Sequence, residues 1–75
     1  MKPLQAGELS KLVSIGVIRM VALKETPDGW TIQFNDGAYA SALDDGRARF
    51  FASTDSALKF LKGRGIFNVS VHMTK

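Results

Sequence analysis

The chain has no cysteine among its 75 residues and a single histidine. No disulfide can staple it, and the usual Cys/His structural zinc site is excluded for want of ligands. Long apolar runs are also missing. The longest, Val17 to Leu23, is interrupted by Arg19 and falls far short of the ~20 residues that cross a bilayer. Met1-Lys2-Pro3 is followed by polar residues rather than by the apolar core of a secretory leader. These absences lead us to expect a cytoplasmic protein without membrane contact, in which the Asn68-Val69-Ser70 sequon is accidental.

Catalytic sets are equally scarce. His72 has neither a cysteine nor a strong acid beside it in sequence and reads as a half-exposed strand residue. Asp44 and Asp45 are consecutive on a turn and so point different ways. Gly63-Arg64-Gly65 follows a helix rather than opening one, so its free backbone groups are carbonyls, the wrong sign for phosphate. No nucleophile–base pair can be assembled. The expectation is a protein that is not an enzyme and carries no cofactor and no metal.

Size and charge set further bounds. A single domain of this length buries only about 60% of its unfolded surface, and small domains without staples often gain burial by oligomerising. A homodimer is therefore expected. Ten Lys/Arg against seven Asp/Glu give a net charge of +3, which permits contact with nucleic acid or an acidic protein but demands neither.

What is present is pattern, clearest from Arg47 to Met73. Ser53 or Thr54 can cap a helix, with Asp55 in its first turn at the positive end of the dipole. Ala57, Leu58 and Leu61 follow at helical spacing with Phe60 beside them, while Lys59 and Lys62 face water. Gly63 or Gly65 can end the helix, and Gly65 is preferred because the apolar Ile66 follows it. Phe67, Val69, Val71 and Met73 then alternate with Asn68, Ser70 and His72, the period of a half-buried strand.

The earlier chain supplies a sheet for that helix. Met1 to Gln5 reads as a loose start, and residues 5–14 as a short amphipathic helix ended by Gly16. Val17 to Lys24 reads as a strand in which neither face is purely polar, so it is covered on both sides or meets a partner subunit. Pro27-Asp28-Gly29 is a turn. Trp30, Ile32 and Phe34 alternate with Thr31 and Gln33, and Asn35-Asp36-Gly37 is a hairpin signal. Ala38 to Leu43 is a weaker strand, Asp44-Asp45-Gly46 a third turn, and Arg47 to Ala52 a fourth strand. The fold class expected is α+β. An antiparallel meander of three to four strands plus a C-terminal strand carries a short N-terminal helix and a second helix packed on the sheet. The last strand pairs with an open strand, for which Val17 to Leu23 is the candidate. A dimer could then cover the exposed sheet edges.

Five basic residues, Arg47, Arg49, Lys59, Lys62 and Arg64, lie close in sequence with Asp55 as the one acid among them. With Phe50 or Phe51 between them they form a candidate nucleic-acid or partner-binding surface. The alternative is a solvated face above core phenylalanines. The order helix, meander, helix is loosely similar to double-stranded-RNA-binding domains, but the second helix opens Asp55-Ser56-Ala57 rather than with lysines.

One family resemblance covers most of the chain. Ala48-Arg49-Phe50-Phe51, the helix Ser56-Ala57-Leu58-Lys59-Phe60-Leu61, and Gly65-Ile66-Phe67-Asn68-Val69-Ser70-Val71 together resemble the C-terminal half of small partition-associated (ParC-type) proteins. Such proteins are carried on plasmids and integrative elements of proteobacteria. The N-terminal helix and the Gly29-Trp30 pair after a turn are also similar. The resemblance implies an accessory or adaptor role in plasmid partition or maintenance, with a partition or regulatory protein, or DNA, as partner. It implies no catalytic residues.

Overall fold

The computed structural model of the chain describes residues 2–43 and 47–73, so the Asp44-Asp45-Gly46 turn lies outside the described residues. In chain order the elements are β1 (Lys2–Leu4), α1 (Ala6–Ser14), β2 (Val21–Thr26), β3 (Gly29–Phe34), β4 (Tyr39–Ser41), α2 (Thr54–Lys62) and β5 (Ser70–His72). The class is α+β, as the sequence indicates. Strands β2, β3 and β4 form the antiparallel meander, and the sheet order is β1-β4-β3-β2-β5. Both edges are added in parallel, β1 to β4 and β5 to β2, so the sheet is mixed rather than antiparallel throughout.

This order explains the layering. The connection through α1 leads from β1 to β2, and the connection through α2 from β4 to β5. Both steps run in the same direction across the sheet between parallel strands. Crossovers of one hand then place both helices on the same face. The core agrees: Leu9 of α1 and Ala57 and Leu61 of α2 share one cluster with Leu4, Val21, Leu23, Ile32 and Phe34. Burying a leucine such as Leu61 contributes about 1.5–3 kcal/mol. The other face, carrying Ala22, Lys24, Thr31, Gln33, Ala40 and Ser70, has no helix over it, and each of these residues is half-buried or exposed. Within the described chain, β2 is thus covered on one side only.

Local signals account for both helices. Ser53 caps α2, its Oγ accepting from the Ser56 N–H at 3.2 Å. Beyond Lys62 the chain makes one further turn, in which Gly65 (φ +82°) takes the left-handed conformation. The Gly65 and Ile66 N–H groups donate to the Lys62 and Leu61 carbonyls at 3.1 and 3.0 Å. That pairing satisfies the orphan carbonyls and turns Ile66 into the core. Gly16 (φ +80°) ends α1 in the same way.

Three segments differ from the reading of the sequence. The start is not loose. Pro3 pairs with Ala40 and Leu4 with Ser41, and the Ala42 N–H donates to the Leu4 carbonyl at 2.9 Å. Three residues, one of them proline, carry no periodicity; this strand exists because β4 offers an edge and the helix layer a seat for Leu4. The first meander strand starts at Val21, not Val17, because Asn35 captures the backbone before it. Its Oδ1 accepts from the Arg19 and Met20 N–H groups at 2.9 and 3.2 Å, and its Nδ2 donates to the Val17 carbonyl at 2.8 Å. Finally, Arg47 to Ala52 is no continuous strand. It meets the sheet at isolated bridges, Ala42 with Ala48 and Trp30 with Phe51. Strand β4 pairs with β3 only at Gln33–Ala40 and Phe34–Tyr39, and Phe51 takes up the pairing further along β3.

Candidate interaction surfaces

Phe51 is fixed by two backbone bonds. It donates to the Trp30 carbonyl and accepts from the Trp30 N–H, each at 2.8 Å. The close approach needs Gly29, whose φ is +129° and where a Cβ would lie 2.8 Å from the Phe51 oxygen. This settles which phenylalanine faces inward: Phe51 is buried and Phe50 is 44% exposed. The Phe51 ring meets that of Phe60 on α2 at a centroid distance of 5.5 Å and a tilt of 46°.

Two of the five basic residues lie on these rings. The Arg49 guanidinium sits 4.6 Å from the Phe60 centroid and 5.1 Å from that of Phe51, and Arg64 sits 5.1 Å from Phe60. Each such contact is worth ~0.5–1 kcal/mol when exposed and ~2 kcal/mol when desolvated. The arginines therefore roof the aromatic corner of the core with their planar heads, and Arg64 Nε, buried there, makes no hydrogen bond.

Lys59 and Lys62 belong to a different surface. Both are exposed, and with Asp55, Leu58, Ile66 and Phe67 they line an open groove of about 490 Å³ beside α2. Arg47 is exposed at the far end of the bridging segment, its carbonyl accepting from the Leu43 N–H at 2.7 Å. The five basic residues are thus divided, not gathered. The reason is local geometry: Arg64, in the turn that follows α2, comes back over the Phe60 ring, while Lys59 and Lys62 stand three apart on another flank of the helix.

The C-terminal segment corrects a further expectation. β5 is not half-buried; all its residues are exposed. Val69 packs against the core, but Phe67 before the strand, Val71 within it and Met73 after it are 79%, 48% and 75% exposed. Helix α2 packs over β3 and leaves this edge uncovered. The alternating pattern was readable in the sequence; the uncovered edge follows only from where the helix lies. His72 points to the opposite, bare face, as its register with Lys24 requires. There an open groove of about 540 Å³ is lined by Arg19, Met20, Lys24, Gln33, Asp36 and His72 among others. Sequence reasoning missed this groove because its residues come from three strands and a turn.

Fold and surfaces together define a small two-layer α+β domain with one bare sheet face and one apolar edge. Among the described residues no helix is long and apolar enough to cross a membrane, and no three His, Cys, Asp or Glu residues sit together as a metal set. Compared with protein-family models, curated proteins and solved structures, the chain finds no match.

Proposed function

We propose that this chain is a non-enzymatic adaptor of the bacterial cytoplasm that works through protein–protein contact. The observation that supports the reading best is the exposed apolar strip Phe67, Val71 and Met73 on an uncovered sheet edge. Large apolar side chains gathered at one edge are a common mark of a contact surface. The plasmid or mobile-element setting, and a link to partition or maintenance, come from the resemblance described above.

A test follows in a host carrying the element. Deleting the gene raises the rate of plasmid loss without selection, and the intact gene restores it. A Phe67→Ser/Met73→Ser double variant, folded by circular dichroism, does not restore it. Unchanged plasmid loss on deletion, or full restoration by the variant, overturns the reading. The alternative is a nucleic-acid module. It is favoured by Lys59 and Lys62, which remain exposed side by side. Its mark is duplex binding by fluorescence anisotropy that weakens steeply with salt and is lost in Lys59→Ala/Lys62→Ala.

A further inference from the structure

We propose that the free edge of β5 is a homodimer interface. Two copies pair their β5 strands antiparallel about a two-fold axis at Val71 and continue the sheet from five strands to ten. The proposal rests on reading the chain as a protein-contact module and names a second copy as the partner.

The two edges of the sheet are unlike. The Leu4 carbonyl points inward, bonded to the Ala42 N–H at 2.9 Å. Backbone groups of successive strand residues alternate in direction, so Pro3 presents its backbone to the free side of β1. Proline has no N–H to give, and this edge cannot accept a full ladder. The other edge has no such guard. From Ile66 to Met73 there is no proline, glycine, lysine, arginine, aspartate or glutamate. Unprotected apolar edges of this kind are where sheets join.

The segment is also complementary to itself. A two-fold centred on Val71 sets Val71 against Val71, Val69 against Met73, and Ser70 against His72. Directly opposed residues share a face in an antiparallel pair. Apolar side chains therefore meet on the helix face and polar ones on the bare face. A register shifted by one residue would set Val71 against a polar neighbour, whereas centring on Val71 engages all of Ser70–His72. Opposite Val69, Met73 of the second copy reaches the groove beside α2, whose apolar lining is Leu58, Ile66, Phe67 and Val69. An unbranched, pliable side chain suits such an irregular gap. Because only one edge is open, the contact is isologous and closes at two copies rather than growing into a filament.

The chain has no native cysteine, so Val71→Cys introduces a single thiol. Across the two-fold its Cβ would lie roughly 4.5–5.5 Å from its mate. Because that separation exceeds the Cβ spacing of a relaxed disulfide, a short bismaleimide rather than oxidation is the linker of choice; it should give a covalent dimer in high yield with Val71→Cys and little with Pro3→Cys on the opposite edge. In sedimentation equilibrium the wild type should have the mass of two chains. Val71→Lys, at an exposed position of β5, should raise the dimer dissociation constant more than about tenfold with an unchanged circular dichroism spectrum. A wild-type mass of one chain at several hundred micromolar overturns the proposal. So does a dimer indifferent to Val71→Lys, or equal cross-linking through Pro3→Cys. Each of these leaves the adaptor reading standing, since plasmid loss is scored separately.

Discussion

Asn35 offers the sharpest test of the fold. Its side chain makes three hydrogen bonds to the backbone of Val17, Arg19 and Met20, and its own N–H donates to the Met20 carbonyl at 2.8 Å. Each side-chain bond contributes about 0.5–1.5 kcal/mol net, so the set contributes ~2–3 kcal/mol. Asn35 also holds a φ of +52°, where a residue without a short polar side chain pays ~1 kcal/mol or more. Asn35→Ala loses both terms and should destabilise by ~3 kcal/mol. For a domain of this size that is a fall in Tm of roughly 12–24 °C, out of a total stability of about 5–15 kcal/mol. Asn35→Gly accepts the backbone but not the bonds, and should remain ~2 kcal/mol below wild type. Urea unfolding with an unchanged slope measures both. An alanine variant within ~0.5 kcal/mol of wild type would refute the reasoning. A glycine variant equal to wild type would show that backbone strain, not the side-chain bonds, sets the effect.

Two further predictions concern the aromatic corner. Gly29→Ala should cost about 2–4 kcal/mol, because the methyl group meets the Phe51 carbonyl at 2.8 Å and the φ is +129°; an alanine variant as stable as wild type in chemical denaturation would mean that the bridge to Phe51 does not form. A double-mutant cycle of Arg49→Ala and Phe60→Leu should give a coupling of about 0.5–2 kcal/mol, and strictly additive losses would remove the guanidinium from the ring.

Much of this architecture is legible locally. Ser53, Gly16 and Gly65 mark helix boundaries through bonds they make within a few residues, and Trp30, Ile32 and Phe34 alternate because β3 lies at the centre of the sheet under the helices. What escapes a linear reading is set by distant partners. The strand at Lys2–Leu4 is defined by β4, and the start of β2 by Asn35 in the turn between β3 and β4. The basic residues illustrate the same limit at the level of the site. Their closeness along the chain is real, but the Phe60 ring draws Arg49 and Arg64 to one flank of α2 and leaves Lys59 and Lys62 on another. The apolar alternation of β5 is visible in sequence, whereas its exposure depends on how far α2 reaches.

The edge strands also set an order of assembly. Pairs within the meander close over a turn of a few residues, as Thr26 with Gly29 does, while β1 must find β4 across about half of the chain, Lys2 meeting Tyr39. Contacts that close long loops lose more chain entropy before they return any pairing. The order expected from this is a meander that forms first as the template, with the two edge strands docking onto it later from opposite sides. Until β5 docks, β2 itself carries a free edge, so the last step of folding passes sheet growth outward to the strand that the second copy would then receive.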